Sequence, residues 1–161
     1  MRLFIAIKLS PEIKDTLTAT QKYMRKQGVR GNYAPEENLH ITLAFIGEYP
    51  NPDVVSEALE GVIFEPFDIS LDEYGFFGDL FWAGLEGSEE LSSLAKKVRR
   101  ALAEAHVPFD KKAFKPHITL IRRAKYEKLP ELKTKKTSMR VEHISLMRSD
   151  FVKNGVRYTE I

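Results

Sequence analysis

The chain has 161 residues, of which 43% are hydrophobic and 30% are charged, and its formal net charge is +2. This length predicts a single domain over residues 1–161, and the hydrophobic fraction is enough for a packed core, which excludes wholesale disorder. The absence of cysteine excludes disulfides, thiolate nucleophiles and cysteine-ligated metal sites. No apolar run approaches the ~20 residues of a membrane span, so we expect a soluble, cytoplasmic monomer with no membrane partner and no obligatory protein partner.

Apolar periodicity and capping residues predict the elements of the first half of the chain. In order, these are a strand over 2–9, a helix that starts at Ser10-Pro11 and stops at Gly28, a loop, a strand over 39–46, a helix over 53–64 and a strand over 67–74. Ser10 is the predicted N-cap and Pro11 the first helical residue, because Ser accepts a hydrogen bond from the first turn and Pro lacks the N–H that would go unpaired there.

The second half repeats the opening order of strand, helix and strand, and it then ends in a hairpin. Its predicted elements are a strand over 79–85, a helix that opens at Ser88-Glu89-Glu90, a strand over 117–122, a polar connection over 126–136 and strands over 139–148 and 156–160. Asn154-Gly155 predicts the tight turn between the last two strands, since both residues tolerate positive φ angles.

One separation in sequence relates the two halves. His40-Ile41-Thr42-Leu43 recurs 77 residues later as His117-Ile118-Thr119-Leu120, and Leu3-Phe4 recurs at the same interval as Leu80-Phe81. This pattern indicates an internal duplication with units over about 2–47 and 79–123. We therefore predict an α+β fold of two pseudo-symmetric lobes with mainly antiparallel sheets, helices outside and a groove between the lobes.

The repeated motif is where chemistry is expected. Side chains alternate along a strand, so His40 and Thr42 share one face, while Ile41, Leu43 and Phe45 share the apolar face; His117 and Thr119 are paired in the same way. One neutral imidazole accepts a proton and one protonated imidazole donates one, which is the logic of phosphodiester cleavage. The Thr hydroxyls can donate to phosphoryl oxygens, and Arg122 or Arg123 can offset developing charge.

Other interpretations of these histidines remain open at this point. Each histidine alone is typical of a packing or surface residue, and a two-histidine metal site is a rival, although the motif lacks metal-ligand spacing. His106, at a helix end, and His143, in a strand, are interpreted as structural. No phosphate-binding glycine motif for ATP or NAD is present, so we expect no cofactor and no metal.

Two further features bear on a nucleic-acid substrate. Residues 111–136 contain ten basic and two acidic side chains, which favours a polyanion or, more simply, a solvated surface. Tyr33, just before the first histidine strand, is the best candidate for stacking on a base. Phe4 and Phe81 lie in apolar strands and are predicted to be core residues.

The sequence resembles a known family over nearly its whole length. The segments from His40 to Gly47 and from His117 to Arg122 are similar to the two signatures of the 2H phosphoesterases. The opening Arg2–Ile7, the Pro35–Leu39 and Phe114–Pro116 flanks, and the closing Met147–Ser149 and Gly155–Tyr158 resemble its LigT-like branch, the RNA 2′,3′-cyclic phosphodiesterases once named 2′-5′ RNA ligases.

The resemblance implies metal-independent hydrolysis of an RNA-terminal 2′,3′-cyclic phosphate to a 2′-phosphomonoester, with reverse 2′-5′ ligation. It implies His117 as proton acceptor, His40 as proton donor, and Thr42, Thr119 and Arg122 as phosphate-binding residues. Strict alternation places Arg123 rather than Arg122 on the His117 face, so we expect either that the strand bends there or that Arg122 reaches the phosphate from its end. The alternatives are a non-catalytic module that binds nucleotides or RNA ends, and the same chemistry on a small cyclic nucleotide.

Overall fold

The computed structural model describes residues 1–161, apart from the side chain of Ser88. Within these residues it contains three α-helices and nine strands, which confirms the α+β class. The helices are α1 (Pro11–Lys26), α2 (Pro52–Glu60) and α3 (Ser88–Glu104). The strands are β1 (Arg2–Lys8), β2 (Arg30–Tyr33), β3 (His40–Glu48), β4 (Phe67–Phe77), β5 (Leu80–Glu86), β6 (Ile118–Lys125), β7 (Ser138–Val141), β8 (Ser145–Val152) and β9 (Gly155–Glu160).

The strands form two sheets in which every neighbouring pair is antiparallel. The first sheet has the order β3-β1-β8-β9 and the second the order β2-β6-β5-β4-β7. The first sheet curls, so that β9 approaches the short 3-10 turn Glu36–Asn38 before β3. The Asn38 side-chain amide closes this curl by donating to the Val156 carbonyl at 2.9 Å.

Helices α1 and α3 each pack on the sheet that does not contain the strand before them. Helix α1 follows a strand of the first sheet but packs on β6 and β7 of the second, whereas α3 follows a strand of the second sheet and packs on β3 of the first. The main cluster of buried side chains therefore includes residues of both sheets and of all three helices. A smaller cluster of Phe4, Ala6 and Met147 lies on the opposite face of the first sheet.

The predicted start of α1 is confirmed. The Ser10 hydroxyl accepts a hydrogen bond from the Ile13 N–H at 3.2 Å, and Pro11 is the first helical residue. Gly28, just beyond the helix, has a φ of +89°, a backbone conformation that glycine adopts without a steric penalty. One apolar face of α1 is buried through Ile13, Leu17 and Met24, as its helical spacing predicts.

Four local predictions are wrong. Residues 30–33, expected in a loop, form β2; the single strand predicted over 139–148 is two strands, β7 and β8; and His143 lies in the connection between them. The hairpin turn is Lys153–Asn154, because Val152 pairs with Gly155. Strand β2 is polar and has no apolar alternation, so it gives no sequence signal. It forms because Gly31 allows close approach: a Cβ there would lie 2.8 Å from the Ile121 side chain.

The strand ladders also correct the register of the repeat. Ala6 faces Thr42 on β3, and Trp82 faces Thr119 on β6. The histidine strands are thus related by 77 residues but the opening strands by 76, which makes Trp82 the counterpart of Ala6. The identity of Leu3-Phe4 with Leu80-Phe81 at an interval of 77 is one residue out of structural register.

The Trp82 ring lies against the backbone of Gly75, its cross-strand partner on β4. A Cβ at Gly75 would occupy the space of that ring, and overpacking of this kind costs about 1–3 kcal/mol. We expect Gly75→Ala to lower the free energy of unfolding by that amount, measured by urea denaturation. Gly61→Ala is the matched control, because a Cβ there meets its nearest atom at an ordinary 3.6 Å. Equal stability of the two variants would contradict this packing.

Candidate active site

Each histidine strand carries a β-bulge at the same place in its motif. Along β3, Ala6 pairs with Thr42 and the preceding Ile5 pairs with Ala44, so Leu43 is the extra residue. Along β6, Trp82 pairs with Thr119 and Phe81 with Ile121, so Leu120 is the extra residue. A bulge adds one residue to one strand only. The alternation of side chains is therefore reversed beyond it in both strands.

This reversal decides which residues share the histidine face. Phe45, predicted to join Ile41 and Leu43 on the buried face, is instead the cross-strand partner of Phe4 and is 40% exposed, so that prediction is wrong. On β6, the reversal moves Arg122 to the face of His117 and Thr119. Of the two alternatives that the sequence left open, the structure shows the bend in the strand. Arg123, which strict alternation favoured, has a left-handed φ of +55°.

The two histidines are held in the same way. The Nδ1 of His40 lies 2.7 Å from the Asn38 carbonyl oxygen, and the Nδ1 of His117 lies 2.6 Å from the Lys115 carbonyl oxygen. A carbonyl only accepts, so both Nδ1 atoms carry the proton and both Nε2 atoms are left for chemistry. In His40, Nε2 lies 2.7 Å from the Thr42 hydroxyl, which donates to it while the ring is neutral.

His40, the first residue of β3, lies among aromatic side chains. The rings of Phe4 and Tyr158 lie 5.0 and 5.2 Å from its own, the latter edge-on. Burial lowers the pKa of His40 below its usual value, against the hydrogen bond to Asn38, and the positive charges of Arg122 and His117 lower that pKa further. Arg122 and His117 therefore lie within electrostatic range of the His40 ring, and β3 and β6 are in contact.

His117, directly before β6, lies among different neighbours. The Phe77 ring is 5.2 Å from the His117 ring and 4.9 Å from Trp82, and the Lys115 ammonium lies 5.3 Å above Phe77. Thr119 is the cross-strand partner of Trp82. The indole N–H of Trp82 is buried and has no hydrogen-bond partner in the described part of the chain.

Tyr33 lies apart from these side chains. Its cross-strand partner is the fully buried Ile121, which belongs to the main core and not to the histidine face. Its hydroxyl donates to the Val29 carbonyl at 2.6 Å, and the Arg25 guanidinium of α1 lies 4.3 Å above its ring. The structure therefore brings together His40, Thr42, His117, Thr119 and Arg122, but not Tyr33.

Three neighbours of the histidines were not identified from sequence. Tyr158 belongs to the closing motif but carries no signal for packing on His40, because the curl of the first sheet brings it there. Phe4 is buried, as predicted, but on the histidine face. Phe77 is 39% exposed at the end of β4, and its place directly before the turn residue Gly78 is the one sequence signal that marks it.

Other parts of the described chain add no site of this kind. No group of three or more His, Asp or Glu side chains is arranged to hold a metal ion among these residues. None of the described helices is long and apolar enough to cross a membrane. A separate cleft of about 940 Å³ lies between α1 and residues 131–138, and none of the predicted site residues lines it.

Comparison with known proteins agrees with this architecture. A family model of the 2′-5′ RNA ligase superfamily matches residues 9–152. The chain belongs to this superfamily. The resemblance to the LigT-like branch is thereby confirmed.

Two curated relatives in the superfamily are named RNA 2′,3′-cyclic phosphodiesterase. The protein of Thermotoga maritima is 33% identical over 136 residues, which cover 78% of this chain and 71% of the relative. That of Archaeoglobus fulgidus is 36% identical over 128 residues, which cover 74% and 71%. Among solved structures, Escherichia coli LigT in complex with 3′-AMP has a TM-score of 0.86 at 28% identity, covering 99% of this chain and 94% of LigT.

Proposed function

We propose that this protein hydrolyses the 2′,3′-cyclic phosphate at RNA ends to a 2′-phosphomonoester. The observation that carries the proposal is the arrangement of two His-x-Thr pairs, one from each sheet, with Arg122 and His117 in electrostatic range of His40. Relatives that are 33% and 36% identical carry the name of this activity. The superfamily's LigT binds 3′-AMP, which supports a nucleotide substrate for this chain as well.

The acid–base steps follow from the free Nε2 atoms. His117 Nε2 takes a proton from water, whose oxygen attacks phosphorus; the bond from phosphorus to the 3′ oxygen breaks, and protonated His40 gives its Nε2 proton to that oxygen. The hydroxyls of Thr42 and Thr119 donate to the non-bridging oxygens, and Arg122 offsets the charge that develops there. When a 5′-hydroxyl replaces water, the same steps join RNA ends through a 2′-5′ linkage.

The lowered pKa of His40 sets a condition on this mechanism. In the free protein, burial and the charge of Arg122 favour the neutral form of the His40 ring, whereas a proton donor must be charged. A bound phosphate anion shifts the equilibrium toward protonated His40, because an opposite charge within a few ångströms favours the charged imidazole. Substrate binding therefore raises the pKa of His40 and charges the donor where the leaving group lies.

This condition predicts different pH profiles for two kinetic constants. The alkaline limb of kcat/KM, which reports the free protein, is expected at lower pH than that of kcat, which reports the bound complex. Steady-state rates from pH 4.5 to 9 measure both limbs. Coincident alkaline limbs would show that the substrate does not charge His40 and would assign proton donation elsewhere.

The proposal is tested by the product. An RNA ending in 2′,3′-cyclic phosphate is incubated with the protein and followed by phosphorus NMR, where a 2′-monoester signal is expected, with or without EDTA. Binding without a new signal would favour the non-catalytic module. Turnover of cyclic mononucleotides alone would favour a small-molecule substrate, and loss of activity in EDTA that zinc restores would favour a metal site.

A further inference from the structure

The face of the first sheet that carries the His40 ring continues along β1 to its first residue, Arg2. Phe4 and Ala6 are buried on this face, whereas Leu3 belongs to the main core on the other side. Strand β1 pairs with β8 without a bulge, so its side chains alternate regularly. Arg2 therefore lies on the same face as Phe4, whose ring is 5.0 Å from the His40 ring.

The Arg2 side chain lies over an exposed aromatic ring. Its cross-strand partner on β8 is Ser149, and Phe151 lies two residues further along β8 on the same face. The guanidinium carbon of Arg2 is 4.9 Å from the centre of the Phe151 ring, and Phe151 is 76% exposed. A cation–π contact holds a guanidinium over the face of a ring and leaves its N–H groups able to donate to a ligand.

Arg2 is also a cation without an acidic partner on this face. Lys8, which lies on the same face, forms an ion pair with Glu160 at 3.0 Å. Glu48 is the cross-strand partner of Arg2, but its carboxylate is 3.0 Å from the Met1 ammonium. Arg2 itself forms no ion pair within the part of the chain that the structure describes. A guanidinium held in this way is suited to a phosphate, which accepts two parallel N–H bonds from it.

The position of Arg2 excludes contact with the reacting phosphate. Ala6 is the cross-strand partner of Thr42, and a strand rises about 3.3 Å per residue, so the Cα atoms of Arg2 and Ala6 are about 13 Å apart. Phe151 lies beyond the β1 end of the ladder, so the Arg2 side chain extends away from Thr42. An RNA strand that leaves the Thr42 hydroxyl along this face brings a later phosphate to Arg2.

We propose that Arg2 binds a phosphodiester upstream of the terminal nucleotide, with Phe151 as the residue that positions its guanidinium. The inference rests on the proposed function, because it takes the cyclic phosphate to lie at the two His-x-Thr pairs. Such a contact is the same in the ground state and in the transition state, so it lowers KM without raising kcat. Arg2 then selects RNA oligonucleotides over cyclic mononucleotides.

The test uses substrates of increasing length that all end in a 2′,3′-cyclic phosphate, from a mononucleotide with a 5′-hydroxyl to a tetranucleotide. Arg2→Ala is expected to lower kcat/KM for the tetranucleotide about tenfold, with kcat unchanged, and to leave the mononucleotide unaffected. The mononucleotide rate also shows that the variant is folded. The slope of log kcat/KM against log salt concentration is expected to become shallower by about 0.7, the value for one phosphate contact on a single strand.

A neutral linkage identifies the phosphate. One methylphosphonate at the linkage that Arg2 binds is expected to lower kcat/KM of the wild-type protein for the tetranucleotide, but to have little effect in Arg2→Ala, because both changes remove the same contact. Phe151→Ala is expected to cause a smaller loss than Arg2→Ala on the tetranucleotide and no further loss in combination with it.

Arg100→Ala is the matched control. Arg100 is exposed on α3, which packs on the main-core side of the first sheet, so its loss removes the same charge and is expected to leave every substrate unchanged. Equal loss on the mononucleotide and the tetranucleotide in Arg2→Ala would overturn the inference, as would methylphosphonate effects that are the same in Arg2→Ala and wild type. Failure of the wild-type protein to cleave a substrate of any length would instead refute the proposed function.

Discussion

Replacement of His117 by alanine is expected to lower kcat for cyclic-phosphate hydrolysis by about 10²–10⁴-fold, the contribution of one general acid or base. His40→Ala is expected to have an effect of the same size. Residual turnover in both variants comes from binding and from the remaining phosphate contacts. The measurement is steady-state cleavage of an RNA that ends in 2′,3′-cyclic phosphate, at saturating substrate.

The double variant sharpens this prediction. Residues that act as a unit have strongly non-additive effects, so His40→Ala/His117→Ala is expected to be little slower than either single variant. His143→Ala is the control, since His143 is exposed between β7 and β8 and its loss is expected to leave kcat unchanged. Near-wild-type rates in either single variant would end the proposal of a paired mechanism.

The second large effect is expected at Arg122. Removal of one group that stabilises transition-state charge costs about 10²–10³-fold in kcat, and Arg122→Ala is expected to fall in this range. Because the charge of Arg122 lowers the pKa of His40, the same variant is expected to raise that pKa and to move the alkaline limb of kcat/KM to higher pH. Arg122→Lys retains the charge, so it is expected to lower kcat less than Arg122→Ala does and to move the alkaline limb of kcat/KM by a smaller amount.

Arg123 provides the matched control for Arg122. Arg123→Asn removes the same charge one residue away, and Asn tolerates the left-handed φ of +55° at this position. Its effect on kcat is expected to be less than threefold, a change within ~0.7 kcal/mol. A larger loss in Arg123→Asn than in Arg122→Ala would show that the bulge at Leu120 does not select the phosphate-binding arginine.

Much of the fold and of the candidate site could be predicted because local chemistry determines it. Ser10 and Pro11 cap α1 through contacts within one turn, and the two His-x-Thr pairs are separated from their apolar neighbours by simple alternation. These features depend on residues a few positions apart, so they can be predicted from the sequence without knowledge of the fold. Polar His and Thr between apolar Ile and Leu indicate two polar strand faces, and the structure places the residues of those faces within electrostatic range of each other.

The remaining features depend on contacts between distant strands. Leu43 and Leu120 are ordinary strand residues, and they become bulge residues only because β1 and β5 pair with the strands that contain them. The sequence alone therefore could not predict that Phe45 is exposed or that Arg122, not Arg123, lies on the histidine face. Strand β2 exists because Gly31 can approach the backbone of β6. Tyr158 lies near His40 only because the first sheet curls until β9 meets the turn before β3.

The exchange of α1 and α3 between the sheets has a consequence for the history of this fold. The first repeat unit also contributes a strand, β2, to the second sheet, so this unit on its own would have neither a complete sheet nor a sheet for its helix to cover. If the chain arose by duplication, we expect that a single unit folded as an intertwined homodimer, in which each copy covered the sheet of the other with its helix. Excised halves of the present chain, mixed in solution, are therefore expected to regain structure together rather than alone.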